Sequence, residues 1–311
     1  MHIEIILNSV NSHKSYLEVR KIESDLINIE DKIEHYNSLD EDEQLIYYDD
    51  FRELYVEKRL LEEKLQSYVT NSNLQSQHFN SIYDYDGRKK LIIFSGAGIS
   101  AESGIATFRS HDGLWNSHDI NSICNLHTWE NNFDLVHEFY NERREELKYK
   151  YPNHAHKVVA ELQSKYANDC YVITQNIDDL FERAGCKNVL HLHGELTKLK
   201  CLECNNVWEI GYEKFHYGEE YCENCKNTKT IKPNVVFFNE PAPMYNQMYR
   251  AFDALKNPQS IIIVVGTSGN VINIGEMLKH YNCIKVLNNL EETKYIDYKQ
   301  FHNVFFNQAT T

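Results

Sequence analysis

The sequence predicts an α/β protein with a doubly wound parallel sheet, a small zinc-binding and helical lobe, and an N-terminal helical hairpin. Three observations favour this fold class. Short β-branched runs alternate with helical stretches after Arg88, four cysteines form two C-x-x-C pairs, and no glycine or proline precedes Gly87. Buried strands that alternate with helices are typical of a parallel sheet with helices on both faces.

Composition narrows the class of protein further. With 311 residues, of which 42% are hydrophobic, the chain is long enough for one large domain or two smaller ones. Its net charge of −14 argues against a surface that follows nucleic-acid phosphates or an anionic membrane. No apolar run approaches the roughly 20 residues that span a bilayer. We therefore expect a cytoplasmic protein with no membrane and no direct nucleic-acid partner.

Residues 1–82 are predicted to form the helical hairpin, as an extension ahead of the main domain at 83–311. Apolar residues recur every three or four positions over 19–36 and again over 51–68, with a polar stretch between the two segments. This spacing gives each helix one apolar stripe. Such a stripe must be covered, so the hairpin is expected either to pack on the main domain or to bind a partner.

The main domain is expected to alternate strands and helices. Its buried strands are predicted at 90–94, 170–173, 188–192, 234–238, 260–265 and 284–287, and its helices near 133–149, 153–164, 178–184, 244–256 and 273–281. The helical section from 116 to 165 interrupts the strand and helix rhythm. We assign that section to the smaller lobe.

A glycine-rich segment follows the first predicted strand. Gly96, Gly98 and Ala101 form a G-x-G-x-x-A arrangement ahead of a predicted helix. Backbone amides at such a turn can bind the pyrophosphate of a dinucleotide. A purely structural turn explains the motif equally well, because no clear acidic residue follows about 20 positions later to hold a ribose.

The two C-x-x-C pairs predict a metal site. They have the spacing C-x2-C-x17-C-x2-C, which allows four thiolates to surround one Zn²⁺ ion tetrahedrally. Four sulfur ligands leave no position for water, so the zinc is expected to be structural. The module is predicted at about 195–232, and its ligands are Cys201, Cys204, Cys222 and Cys225.

Polar residues cluster where predicted strands end. Gln175, Asn176 and Asp178 follow one strand, and the small residues of 266–269 follow another. Ligands of open α/β sheets bind at the carboxyl ends of the strands. Strand alternation predicts that His191 and His193 share one face.

From residue 83 to 311 the chain resembles the sirtuin family of NAD-dependent protein deacylases, and within it the bacterial and class III members. The resemblance rests on GAGISAESGIATFRSHDGLW, TQNID, LHLHGEL, the two C-x-x-C pairs, KPNVVFFNE, GTSGNV and NNLEE, which occur in the family's order. It implies a Rossmann-like domain, a small zinc lobe, and a cleft in which NAD⁺ and an acyl-lysine protein or peptide bind.

The resemblance also implies roles for individual residues. His193 and Asn176 would be catalytic, with His193 as general base on a ribose hydroxyl, and Val235 and Phe237 would border the peptide. The cofactor contacts would be Gly96, Ala97, Gly98, Thr107, Phe108, Arg109, Gln175, Asn176, Asp178, Gly266, Thr267, Ser268 and Asn289.

A Y-x-x-R pair points to the acyl group. Tyr140 and Arg143 lie three residues apart on a predicted helix face, and the pair is similar to that of sirtuins that accept negatively charged acyl groups. A solvated helix face is the alternative, because Arg144 and Glu145 follow.

The sequence therefore predicts a deacylase that acts on acetyl-lysine and also on succinyl- or malonyl-lysine. It would transfer the acyl group to ADP-ribose and release nicotinamide. A sirtuin-like NAD glycohydrolase and a catalytically silent NAD-binding module stay open as alternatives.

Overall fold

The computed structural model describes residues 13–37, 82–107, 120–216 and 218–310, and five isolated positions, 54, 57, 58, 61 and 64. Its contacts divide the chain into two units, residues 1–80 and 81–311. In the first unit, helix α1 spans His13–Asn37. Ile22, Leu26 and Ile29 are buried on one stripe of α1, as the spacing predicts. Apart from those five positions, the second predicted arm lies outside the described residues, so the hairpin stays a prediction.

The second unit contains the predicted parallel sheet. The strands of the unit are β1 (Leu91–Ser95), β2 (Cys170–Thr174), β3 (Leu190–His191), β4 (Gly194–Cys201), β5 (Val207–Glu209), β6 (Ile231–Val235), β7 (Ile261–Val265), β8 (Ile284–Asn289) and β9 (Asn303–Phe306). Six of them form the parallel sheet in the order β3-β2-β1-β7-β8-β9, and every neighbouring pair is parallel. The doubly wound α/β fold is therefore confirmed.

Helices cover both faces of this sheet. The helices of the unit are α2 (Ile120–Ile123), α3 (Phe133–Lys148), α4 (His154–Tyr166), α5 (Leu180–Ala184), α6 (Met244–Phe252) and α7 (Ile274–Leu278). One core cluster joins α4 and α5 to one face of the central strands, and a second joins α6 and α7 to the other face. The assignment of the whole section 116–165 to the smaller lobe is therefore wrong for α4, which packs on the main sheet. Burial on both faces explains why β1 and β2 are almost continuously apolar.

One predicted strand belongs to a different sheet. The strand expected at 234–238 spans Ile231–Val235 instead, and it pairs antiparallel with β4. With β5 on the other side of β4, it forms a three-stranded sheet in the zinc lobe. The prediction that it joins the parallel sheet is wrong, because a short apolar run has the same pattern in either kind of sheet.

Other boundaries differ by a few residues. The strand predicted at 188–192 is reduced to the two residues of β3, and the helix predicted at 244–256 ends as α6 at Phe252 and continues as a 3₁₀ helix, Asp253–Lys256. The edge strand β9 was not predicted.

No helix in the described part of the chain combines the length and apolar composition needed to cross a membrane.

Two turns of the main sheet touch through their backbones. A Cβ atom on Gly266 would lie 2.5 Å from the Ile99 nitrogen, and one on Gly98 would lie 2.7 Å from the Gly266 Cα atom. Gly266 also has a φ of +63°, which side chains disfavour. The turn after β1 can therefore lie against the turn after β7 only if both carry glycine.

We expect Gly266→Ala to destabilise the main domain more than Gly87→Ala does. Both positions have positive φ, which costs about 1–2 kcal/mol for alanine, but Gly87 has open space around it. Steric overlap at Gly266 should add about 1–3 kcal/mol. Urea denaturation of the two variants measures this difference, and equal losses would show that the backbone contact is unimportant for stability.

Candidate active site

The strand order reverses at β1, which has β2 on one side and β7 on the other. The space at the carboxyl ends of these three strands is called the crevice below. Ligands of open α/β sheets bind at this switch point. The turn at residues 96–98, called the glycine turn below, follows β1. Its Gly96 and Gly98 amides donate to the carbonyls of Val265 and Gly266, at 3.0 and 2.9 Å. Both glycine amides are therefore used by the protein itself, and Ala97 lies between them.

Thr267 links the ends of three strands. Gln175, after β2, donates its side-chain amide to the Thr267 hydroxyl at 3.0 Å. Asn289, the last residue of β8, accepts from the Thr267 amide at 3.1 Å and donates to the Thr267 carbonyl at 2.9 Å. The neighbouring Ser268 accepts a bond from Thr293 through its carbonyl. The fold thus brings together residues of separate motifs, all of which were predicted to contact the cofactor.

Ser100 lies at the centre of a buried polar network. Asn176 donates to the Ser100 hydroxyl at 3.0 Å, and that hydroxyl donates to Asp178 at 2.9 Å. The His156 Nε2 atom lies 3.4 Å from the same hydroxyl. All four side chains are buried. Asn176 and Asp178 were predicted from the sequence, whereas Ser100 and His156 were not. Ser100 occupies a variable position of the G-x-G-x-x-A segment, and no local pattern sets His156 apart.

Burial controls the protonation of this network. It raises the pKa of Asp178, while hydrogen bonds from Ser100 and the Leu180 amide act in the opposite direction. Burial lowers the pKa of His156 to about 4. The imidazole is therefore neutral near pH 7.

His193 is held at both ring nitrogens. Its Nδ1 atom lies 3.0 Å from the Gln175 carbonyl, and its Nε2 atom lies 3.0 Å from the Tyr245 hydroxyl. A carbonyl can only accept, so Nδ1 carries the proton and Nε2 the lone pair. Burial lowers the pKa of His193 to about 4, although the Gln175 carbonyl acts to raise it. The ring is therefore neutral and basic at Nε2.

The prediction that His191 and His193 share one face is wrong. β3 ends at His191, so strand alternation does not reach His193. His191 donates from Nδ1 to the Asn176 carbonyl and bonds Glu182 of α5 through Nε2, whereas His193 contacts Tyr245 of α6. Burial lowers the pKa of His191, but the Glu182 carboxylate outweighs it and the net shift is upward.

The segment after β6 runs beside His193. Val235 is paired with Gly194, and the next amide, that of Val236, donates to the His193 carbonyl at 2.9 Å. Farther along, Phe238 donates its amide to the Cys124 carbonyl at 2.9 Å. The segment predicted to border a peptide therefore lies between His193 and the small lobe.

A buried ion pair supports this segment. The Lys232 ammonium lies 3.0 Å from the Glu240 carboxylate, and both side chains are almost fully buried. Glu240 also accepts from the Phe237 amide at 2.9 Å, and the ammonium lies 4.0 Å from the centre of the Phe237 ring. The Phe237 ring stacks on Tyr140 at 5.9 Å, with an interplanar angle of 21°. The sequence analysis did not identify Lys232 or Glu240 as part of the site.

Tyr140 and Arg143 differ in their surroundings. Tyr140 is buried and its hydroxyl donates to the Cys124 sulfur at 3.5 Å. Arg143 lies over the Phe139 ring, and its side chain is 17% exposed. Its guanidinium pairs with Glu142 at 3.1 Å and Glu146 at 3.7 Å, both on its own helix.

A solvated helix face was the alternative to an acyl-binding role for this part of α3. Arg144 does not belong to such a face. It is completely buried, and its guanidinium donates to the Glu213 and Leu196 carbonyls. Burial lowers its pKa to about 10. His137 and Asn141, on the same stripe of α3, bond the Ile231 carbonyl and the Phe215 backbone. This stripe attaches α3 to the zinc lobe.

The four predicted zinc ligands converge. Their sulfur atoms all lie within 4.8 Å of one another, and the pairs Cys201–Cys225 and Cys204–Cys222 are 3.5 and 3.6 Å apart. An ion about 2.3 Å from each sulfur fits between them.

Of the remaining residues predicted to contact the cofactor, Thr107 precedes a gap in the described chain, and Phe108 and Arg109 lie outside the described residues.

Comparison with known proteins identifies the family. The model of the Sir2 family matches residues 96–273. An NAD-dependent protein deacylase of Helicobacter hepaticus is 43% identical over 241 residues, which cover 71% of this chain and 93% of the relative.

Solved structures are similar to the same part of the chain. A Sir2 homologue in complex with ADP-ribose aligns with a TM-score of 0.63 and 33% identity, over 71% of this chain and 88% of the homologue. A Sir2 homologue in complex with NAD aligns with a TM-score of 0.61 and 32% identity, over 75% and 90% of the two chains. The family model spans more than half of the sequence and the bacterial relative is matched over nearly its full length, so the chain belongs to the Sir2 family.

Proposed function

We propose that this chain is an NAD-dependent protein lysine deacylase that transfers the acyl group to ADP-ribose and releases nicotinamide. The observation that carries the proposal is the environment of His193. The main chain orients its imidazole, burial keeps it neutral, and it lies next to the segment proposed to hold the peptide. The matched relative's name and the ADP-ribose and NAD complexes of the homologues support the same activity.

The residues at the switch point suit NAD⁺. Gln175, Asn176 and Asp178 offer amide and carboxylate groups to the nicotinamide and its ribose, and Thr267 offers a hydroxyl to the adenosine side. On the phosphate side, the Ala97 amide is the expected donor, because the flanking glycine amides are already bonded to β7 and the turn after it. Bound NAD⁺ would supply an electrophilic ribose carbon with nicotinamide as its leaving group.

His193 is the proposed general base. Its Nε2 lone pair can take the proton of a ribose hydroxyl, while the Gln175 carbonyl holds the proton on Nδ1. The low pKa means that the ring does not need to lose a proton before it acts. Asn176 and Asp178, joined through Ser100, would bind the ribose and the nicotinamide carboxamide.

Zinc has a structural role in this proposal. The cysteine cluster suits Zn²⁺ in the number and closeness of its sulfur atoms. It lies in the lobe to which α3 is attached by His137, Asn141 and Arg144. We also propose a cytoplasmic location, because all eight cysteines are free and reduced thiols are typical of a reducing compartment.

We further propose that Tyr140 and Arg143 select acidic acyl groups such as succinyl and malonyl. Tyr140 stacks on Phe237, which places it beside the proposed peptide segment. An incoming carboxylate would displace Glu142 and Glu146 from Arg143, and both of these acids are more than half exposed. Exposed pairs are weak, so this exchange costs little.

The activity itself is tested by incubation with NAD⁺ and matched acetylated, succinylated and unmodified peptides. The proposal expects nicotinamide release that requires an acylated peptide and equals the acyl transferred. Release without peptide would favour an NAD glycohydrolase. No release with any peptide would favour a silent NAD-binding module.

We expect His193→Ala to lower deacylation by about 10²- to 10⁴-fold, the usual contribution of a positioned acid-base group. NAD⁺ affinity, measured by calorimetry, should change little. His280→Ala, at an exposed histidine after α7, is the control and should behave as the wild type. Wild-type turnover in His193→Ala would rule out this residue as the base.

For the zinc site, Cys201→Ser should reduce both bound zinc and the free energy of unfolding, because metal binding and folding are coupled at structural sites. Metal analysis and urea denaturation measure the two effects. Cys186→Ser alters a buried thiol outside the cluster and should keep its zinc. A stable, active, zinc-free Cys201→Ser protein would contradict the structural role.

For acyl selectivity, Arg143→Met combined with Tyr140→Phe should lower kcat/KM for succinyl-lysine by roughly ten- to hundredfold. The lost charge-assisted bonds contribute about 1.5–3 kcal/mol. Acetyl-lysine cannot make these bonds, so its kcat/KM should fall much less. Lys148→Met removes an exposed charge from the same helix and should leave the ratio of the two substrates unchanged. Equal losses on both substrates would assign Tyr140 and Arg143 a structural role.

A further inference from the structure

Tyr245 occupies the one basic atom of His193. The phenol oxygen lies 3.0 Å from Nε2, and Nδ1 is protonated because it faces a carbonyl. Nε2 therefore has a lone pair and no proton, so the hydrogen bond must run from the Tyr245 hydroxyl to Nε2. Neither the glycine motif nor the strand-end pattern indicated this contact, because the two residues are 52 positions apart.

The neutral imidazole has only one lone pair at Nε2. A ribose hydroxyl that gives its proton to His193 needs that same lone pair. The Tyr245 hydroxyl and the ribose hydroxyl therefore compete for one site. They cannot both bond Nε2 at the same time.

The position of Tyr245 allows it to move aside. It is the second residue of α6, and its backbone amide is bonded to the Ala242 carbonyl at 3.0 Å. The side chain is half-buried at the edge of the core, and its ring lies 6.1 Å from the imidazole at an angle of 43°. Rotation of the side chain moves the hydroxyl while the helix stays in place.

We propose that Tyr245 competes with the cosubstrate for the base, because its hydroxyl holds Nε2 of His193 until a ribose hydroxyl of the cosubstrate replaces it. In the chemical step, the ribose O–H bond breaks, its proton goes to Nε2 and its electron pair stays on the ribose oxygen, while Tyr245 keeps its own proton. The inference rests on the proposed function, because it takes His193 as the base. It predicts that the Tyr245 hydroxyl lowers the affinity for NAD⁺, while the Gln175 carbonyl orients the ring with or without it.

The direct test is Tyr245→Phe, which keeps the ring and removes the competing hydroxyl. KM for NAD⁺ should fall by about three- to tenfold, the equivalent of one neutral hydrogen bond. The value of kcat should stay within about twofold. Tyr249→Phe, one helical turn later at an exposed tyrosine, is the matched control and should leave both constants unchanged.

A second readout does not need turnover. At a pH where the imidazole is neutral, Nε2 accepts a hydrogen bond from the Tyr245 hydroxyl, so the Nε2 resonance should shift in Tyr245→Phe, as measured by NMR of the ring nitrogens. The groups bonded to the ring are the Gln175 carbonyl and the Tyr245 hydroxyl, and the carbonyl stays in the variant. The shift therefore reports the loss of the hydroxyl.

The two readouts separate this inference from the proposed function. An unchanged KM together with an unchanged Nε2 resonance would overturn the inference, as would a loss of kcat at constant KM. If His193→Ala remained active, the base assignment would fail, but NMR would still detect the bond between Tyr245 and His193.

Discussion

The crevice depends on the close contact between the turns after β1 and β7. Gly98 and Gly266 meet through their backbones, and a Cβ atom on either would lie less than 3 Å from backbone of the other turn. Backbone hydrogen bonds from Gly96 and Gly98 hold the same contact. This approach brings the ends of the central strands together at the switch point, and there Thr267 can bond both Gln175 and Asn289. The polar groups of the crevice converge because glycine at the points of contact lets the two turns touch.

Two successive carbonyls orient the two histidines near the crevice. The Gln175 carbonyl accepts from His193, and the Asn176 carbonyl accepts from His191. These two carbonyls belong to neighbouring residues after β2, yet the ring of His193 contacts Tyr245 of α6 and the ring of His191 contacts Glu182 of α5. The main-chain carbonyls thus hold the two histidines in different surroundings, and the two rings differ in their chemistry. His193 becomes a neutral base, whereas His191 has a carboxylate partner that raises its pKa.

The parts of the structure that could be predicted from sequence have local patterns. The buried strands, the two C-x-x-C pairs and the polar strand ends are each defined by residues that are close together in the sequence. The structure contains all three kinds of feature. His156 and Tyr245 acquire their contacts only through the fold, so no local pattern distinguished them, and Ser100 lies in the glycine-rich segment at a position that the motif leaves variable. β6 was assigned to the wrong sheet because apolar runs do not reveal their partners. Arg144 looked solvated beside Glu145, yet it is buried because backbone carbonyls of the zinc lobe satisfy its guanidinium.

We propose that NAD⁺ binds at the switch point with its nicotinamide ribose facing His193. A crystal structure with NAD⁺ and an acylated peptide would reveal this arrangement. We expect phosphates at the glycine turn next to the Ala97 amide, and a ribose hydroxyl within about 2.6–3.2 Å of Nε2 of His193. Electron density for NAD⁺ outside this crevice, or a ribose that turns its hydroxyls away from His193, would contradict it.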